Sequence, residues 1–283
     1  MRPIGPIGPM GPIKLSMWTS FFVDLSPEDA LRENAAAGWR HAELSDEHSR
    51  ALLARGQPAA AGKAFARFAA DCGVAVTQGH LDLFVDIAPA GEKARRAAVG
   101  GLKPWLDLYL TLGIRAAVLH PGGDGHSDAA ARLDARLRSL EELAEHLRGT
   151  PLVICLENCA SGDALKPILA ATDPARVGVC LDTGHLNLTS ENQAAFIRFC
   201  GPRLQALHLA ENDKSGDQHA LPYARGGCVP WTEIAAALTE IAYPGLLNFE
   251  VPGERACPLA VRRLKLAYLK ELTTWLFAAG PER

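Results

Sequence analysis

The chain has 283 residues, 48% of them hydrophobic and 22% charged, with a formal net charge of −3. That apolar content excludes wholesale disorder, and the length suffices for one large buried core or two small ones. No run approaches the roughly 18 apolar residues of a membrane span. The mildly acidic balance argues against nucleic acid as the main partner, because backbone phosphates select a basic face.

In chain order, residues 1–12 form a Pro/Gly repeat, Met-Arg-Pro-Ile-Gly-Pro-Ile-Gly-Pro-Met-Gly-Pro. It reads as a flexible or extended arm outside the fold, and residues 13–283 read as one domain. Eight short apolar runs follow, over 13–18, 40–44, 74–80, 114–120, 152–157, 177–182, 204–208 and 246–250. Between them lie segments with helical spacing. Ser26-Pro27 predicts an N-cap followed by proline in the first turn. Leucines at 133, 137, 140, 143 and 147 predict a helix over 128–148, capped by Ser127. Two more helices are predicted over 231–241 and 258–277. Strands alternating with helices imply parallel pairing and right-handed crossovers. Eight such units fit a (β/α)8 barrel, and the Gly-rich phosphate turn of the rival doubly wound sheet is missing.

The seven cysteines are odd in number and contain no C-x-x-C pair. They predict small buried thiols in a reducing, cytoplasmic setting.

What ends the strands carries the chemistry. Six runs stop at His80, His120, Glu157, Asp182, His208 and Glu250. The C-terminal ends of barrel strands open on one face, so these side chains are predicted to converge there. Carboxylates and imidazoles around a cleft suit Mn, Co or Zn, with Mg less favoured by histidine. Each has a plainer reading as a helix cap or a structural histidine, but six coincidences in one topological place are harder to accept. Strand parity adds that Cys155, Cys180, Ala206 and Asn248, two residues earlier, also point inward and floor the cleft. His185, three residues after Asp182, lies over the same mouth.

The motifs Leu-Glu-Asn (156–158), Leu-Asp-Thr-Gly-His (181–185), Leu-His-Leu-Ala-Glu-Asn-Asp (207–213), Asp-Gln-His-Ala-Leu-Pro (217–222) and Phe-Glu (249–250) resemble the xylose isomerase-like TIM-barrel superfamily. That group holds sugar and sugar-phosphate isomerases and epimerases, inosose dehydratases and endonuclease IV-type DNA repair enzymes. The resemblance covers the chain beyond the arm. It implies one metal on Glu157, Asp182, His208 and Glu250, with the two glutamates as paired acid and base and His185 on the substrate. In the endonuclease branch, His80 and His120 hold a second ion, while His185, Asp217 and His219 hold a third. Homodimers and homotetramers are common in the family. One loop departs from the pattern. It reads Leu-Pro-Tyr-Ala-Arg-Gly-Gly-Cys-Val-Pro-Trp (221–231) where the family often has Leu-Pro-Pro-Gly-Glu-Gly, which leaves the metal set intact and the substrate open.

The leading expectation is an isomerase or epimerase of a sugar, sugar phosphate or cyclitol, working by proton abstraction next to a carbonyl. A dehydratase sharing that first step comes next, then a metal-dependent endonuclease for abasic DNA. A barrel that binds without turnover is disfavoured by the retention of both glutamates. Trp18 and Phe21, at the end of the first strand, either wall a sugar ring or pack the core. Arg255, after the last strand, either holds a phosphate or carboxylate or is a solvated surface group.

Overall fold

The computed structural model describes residues 13–123 and 125–278; the arm expected over 1–12 lies outside them. Eight strands occupy β1 (Leu15–Trp18), β2 (His41–Leu44), β3 (Ala75–His80), β4 (Ala116–Leu119), β5 (Val153–Glu157), β6 (Val177–Asp182), β7 (Leu204–His208) and β8 (Leu247–Phe249). All named pairs are parallel, in the order β7-β6-β5-β4-β3-β2-β1-β8. The two ends of that order meet. Leu209 N–H donates to the Asn248 carbonyl at 2.9 Å, and Glu250 N–H donates to Leu209 at 3.2 Å. The sheet therefore closes as a (β/α)8 barrel, as the strand runs predicted.

Among the described residues, ten helices surround it: α1 (Pro27–Ala36), α2 (Asp46–Leu53), α3 (Pro58–Asp71), α4 (Glu92–Leu112), α5 (Ala129–His146), α6 (Lys166–Ala171), α7 (Thr183–Thr189), α8 (Gln193–Cys200), α9 (Trp231–Glu240) and α10 (Leu259–Phe277). The Ser26 hydroxyl accepts from Asp29 N–H as the cap of α1. One prediction fails at α5: the cap is Asp128, whose carboxylate accepts from the backbone of both Ala130 and Ala131, not Ser127. A two-oxygen acceptor satisfies two of the orphan donors at once, which a hydroxyl cannot do as well.

Two apolar regions separate by strand face. The large core lies between strands and helices and includes Met17, Ala42, Leu119, Leu156, Leu181 and Leu207. The barrel interior holds a smaller cluster of Ala116, Val118, Cys155, Cys180 and Ala206. Residues of alternate parity thus face opposite sides, and the inward ones beneath the mouth are small. Phe21 belongs to the outer core, 1% exposed, with its ring edge-on to Phe22 at 4.9 Å. The one-turn 3-10 helix over Thr19–Phe22 carries it into that core. Among the described residues, no helix is long and apolar enough to cross a membrane.

Candidate metal centre

Four residues, the last of β5, β6 and β7 and the one just past β8, meet at the mouth. One ligand atom each from Glu157, Asp182, His208 and Glu250 lies within 4.8 Å of every other, and all four residues are buried. Nδ1 of His208 is 3.0 Å from a Glu250 oxygen and 3.4 Å from one of Glu157. None of these contacts is aligned as a hydrogen bond: His208 Nδ1, Glu250 Oε2 and Asp182 Oδ2 have no hydrogen-bond partner. Buried polar atoms left unpaired are expensive. Three carboxylates and an imidazole with lone pairs converging on one point match the donor set of a divalent ion.

The strand ends explain how these atoms are aimed. Glu157, Asp182 and His208 close three neighbouring strands whose registers place Glu157 beside Cys180 and Asp182 beside His208. Asn158 clamps β5 to β6, donating from Nδ2 to the Asp182 carbonyl at 2.9 Å and accepting from Asp182 N–H at 2.8 Å. Asp182 satisfies both of its sequence readings. Its Oδ1 caps α7 by accepting from His185 N–H at 2.6 Å, and its Oδ2 remains for the cluster.

A further carboxylate escaped the sequence analysis. Glu43 is fully buried inside the barrel, and its Oε1 lies 3.0 Å from His208 Nε2. Asn248 donates to its other oxygen, and Ser16 donates to Asn248 Oδ1 at 2.9 Å. With Nε2–H given to Glu43, His208 would offer its Nδ1 lone pair to a bound ion. Carboxylates behind ligating histidines fix tautomer and ring orientation in this way. Glu43 stayed hidden because β2 ends on Leu44 rather than on a polar residue. Its signal was a carboxylate flanked by Ala42 and Leu44 in a strand buried along most of its length.

The remaining sequence candidates gather around Glu157. His80 is buried; its Nδ1 is 2.7 Å from the Leu81 carbonyl, and Nε2 faces Glu157 at 3.3 Å. His120 Nε2 lies 3.4 Å from Glu157 Oε2. His185 bridges Glu157 Oε1 at 3.2 Å and Asp217 at 3.1 Å. His219 meets the same Asp217 oxygen at 3.0 Å and holds the Glu250 carbonyl at 3.0 Å with Nδ1. His185, Asp217 and His219 thus form a separate trio. The loop that carries Asp217 and His219 is pinned by a second unforeseen carboxylate. Buried Glu211 accepts from Tyr223 N–H (2.6 Å), Cys228 N–H (2.7 Å) and the Trp231 indole (2.8 Å).

Electrostatics follow from this packing. Burial opposes the charge on Glu157, but the imidazoles of His208, His120 and His185 around it hold its carboxyl well below the usual range. Burial opposes the charge on Glu250 too, and His208 again holds it low. Burial lifts Asp182 to about 6, with Glu157 and Glu250 adding to it. Burial pulls His185 down, yet Asp182, Asp217 and Glu157 outweigh it and push the imidazole up to about 12. The floor is inert: burial pushes the Cys155 and Cys180 thiols up, as expected for structural cysteines.

Trp18 shares the inward parity of Ser16, is partly exposed, and has a buried indole N–H without a partner. Arg255 lies exposed on the loop after β8; its carbonyl accepts from Arg262, and no contact brings its guanidinium to the cluster.

A sequence segment 28% identical over 172 residues occurs in an uncharacterized protein of Sinorhizobium fredii, covering 57% of this chain and 55% of that protein. A D-psicose 3-epimerase of Enterocloster bolteae is 34% identical over 122 residues, 40% of this chain and 38% of the relative. A probable endonuclease 4 of Nitratidesulfovibrio vulgaris is 28% identical over 166 residues, 56% and 58% of the two chains. The matches therefore span at most 58% of these relatives' lengths. Among solved structures, D-psicose 3-epimerase from Clostridium cellulolyticum, with D-tagatose, superposes with a TM-score of 0.79 at 15% identity, over 94% of this chain and all of that one. The 3-keto-D-glucoside 4-epimerase from E. coli gives 0.76 at 15% identity, over 92% and 100%. At such identities these structures speak for the fold. The family model described as xylose isomerase-like TIM barrel matches residues 31–276, so the chain belongs to that family.

Proposed function

We propose that the protein is a metal-dependent isomerase or epimerase of a sugar, sugar phosphate or cyclitol. The observation that carries this reading is the pairing of Glu157 and Glu250. Both are buried, both are held in the ionised range, and both face the same His208 nitrogen from strands three places apart. The relatives that act on sugars, D-psicose 3-epimerase among them, support the same chemistry.

A divalent ion held by Glu157, Asp182, His208 and Glu250 would act as a Lewis acid toward the substrate oxygens next to the reacting carbon. The protein supplies the rest. One glutamate takes the proton from the carbon next to the carbonyl; the other returns a proton to the opposite face in epimerisation, or to the neighbouring carbon in isomerisation. His185, set between Glu157 and Asp217 at the mouth, would contact the substrate. Trp18, partly exposed at the rim, would wall the substrate, and Glu43 holds His208 in register.

The test is solvent deuterium incorporation across a panel of ketoses, inososes and their phosphates, with metal content measured on the same samples. Isotope should enter at one carbon of one substrate class and disappear on chelation. A dehydratase would show loss of water after the same exchange. The trio His185, Asp217 and His219, together with the endonuclease 4 relative, favours a second reading as a phosphodiesterase on abasic DNA. The net charge of −3 weighs against it. Cleavage of an abasic duplex with no exchange into any sugar would reverse the order.

A further inference from the structure

We propose that Tyr109, on α4 in the outer core, is a positioning residue for the cluster at the mouth. Its hydroxyl holds the His80 carbonyl and thereby sets where the His80 ring lies against His208. The inference rests on the metal centre proposed above and on no particular substrate. Tyr109 is fully buried, and its hydroxyl donates to the His80 carbonyl. With that proton committed, the Ser49 hydroxyl on α2 donates to the Tyr109 oxygen at 2.9 Å.

The end of β3 explains why a tyrosine is needed there. Arg115 N–H donates to the Thr77 carbonyl and Leu81 N–H to the Val118 carbonyl, so the backbone groups of Thr77 and Leu81 turn toward β4. Those of His80, between them in parity, turn toward β2. The pairing with β2 stops one residue short, at Leu44 and Gly79, where the chain enters α2. A buried carbonyl left without a donor is costly, and Tyr109 supplies the donor that β2 no longer offers. Gly79 makes room for it. A Cβ at that position would lie 2.9 Å from Cζ and 3.0 Å from Cε2 of the Tyr109 ring, so a side chain there would push the ring off β3.

What the His80 ring touches carries this tether to the cluster. The ring stacks on His208 with centroids 5.5 Å apart and planes 24° apart, and it meets His120 edge-on at 5.1 Å. Its Nε2 lies 3.3 Å from Glu157 Oε2, and its Nδ1 donates to the Leu81 carbonyl at 2.7 Å. Two members of the four-residue cluster, His208 and Glu157, therefore pack against one ring whose backbone is held from the outer core. Glu43 fixes His208 from inside the barrel through Nε2; Tyr109 acts on the face of the same imidazole through His80. A shift of the His80 backbone would slide that ring along His208 and release Glu157 from its present orientation.

The test compares Tyr109→Phe with Tyr243→Phe in the full chain. Tyr243 is also buried, and its hydroxyl meets the Leu246 carbonyl, just before β8 and at the far end of the barrel from the mouth. Tyr109→Phe should weaken Co2+ binding, read by chelator competition, by about 10-fold, the low end for outer partners of a ligating imidazole. In the metal-stripped protein it should also move the ring 15N resonances of both His80 and His208. Tyr243→Phe should do neither. In a His80→Ala background, Tyr109→Phe should have no further effect on affinity, because the route through His80 is gone. Unchanged ring resonances in Tyr109→Phe, unchanged affinity in a protein that binds Co2+, equal effects in Tyr243→Phe, or an undiminished effect in the His80→Ala background would overturn the proposal. A wild type that binds no Co2+ would sink the metal reading instead, and the ring resonances of the metal-stripped protein would still decide this one.

Discussion

At the scale of single residues, the site depends on a buried carboxylate that touches no substrate. Glu43 holds the His208 ring from behind, and outer partners of this kind typically contribute 10–100-fold to metal affinity. Glu43→Gln should therefore weaken metal binding by about 10–100-fold, read by chelator competition, while circular dichroism shows the fold retained. Unchanged affinity would mean that His208 is oriented by packing alone. Cys155→Ser should be mild by comparison, since that thiol is inert and floors the cluster. The residue scale also shows how far sequence reaches. Glu157, Asp182, His208 and Glu250 were legible because each ends an apolar run at the barrel mouth. Glu43 was not, because it stands one place before the end of β2, where the pairing with β3 shifts register between Ala42 and Glu43. Trp18 and Phe21 looked equivalent in sequence, and only the turn after β1 separates them: one faces the mouth, the other the core.

At the scale of elements, the loops around the mouth are held by close backbone approach as much as by side chains. A Cβ added to Gly253, on the loop after β8, would lie 1.8 Å from the Phe21 carbonyl oxygen. That backbone cannot yield cheaply, because Arg262, itself buried, binds Asp24 on one side and the carbonyls of Arg255 and Cys257 on the other. Gly253→Ala should cost about 1–3 kcal/mol, the usual range for overpacking, measured by denaturant unfolding. Gly100, exposed in the middle of α4 with nothing within 4 Å of an added Cβ, should give the opposite sign. Alanine there should stabilise by about 0.5–1 kcal/mol through helix propensity. Equal effects at the two positions would contradict the packing argument. The same contrast explains which elements could be read in advance. The strands are short apolar runs, and the leucine stripe of α5 is regular. Helix α7, by contrast, spells Thr-Gly-His-Leu-Asn-Leu-Thr, in which all but the two leucines are poor helix formers, and the Asp182 cap helps hold it in place. Pro104, Gly100 and Gly101 similarly obscure α4.

At the scale of the whole molecule, eight strand ends contribute to one mouth, so the cluster links segments far apart in the chain. Glu43 and His208 are 165 residues apart, and Asn248 and Glu43 are 205 apart. An ion that binds only the folded state stabilises it by mass action, about 2.7 kcal/mol at 100 times its dissociation constant. For a chain near this size, that corresponds to a rise of about 2–4 °C in Tm per kcal/mol. Chelation should lower Tm by several degrees and Mn2+, Co2+ or Zn2+ should restore it. Asp182→Asn should blunt the response. A Tm indifferent to chelator and metal would remove the ion from the account. The acidic net charge, at first only an argument about partners, acts at this scale as well: it favours the sugar reading over the DNA reading of the same family.

The central claim is that Glu157 and Glu250 exchange a substrate proton as a pair. The most direct measurement is deuterium incorporation from solvent into the turned-over sugar by the wild type and by Glu157→Gln and Glu250→Gln, each loaded with the same metal. The account predicts exchange at one carbon in the wild type and loss of turnover in both variants. Near-wild-type turnover in either variant would contradict it.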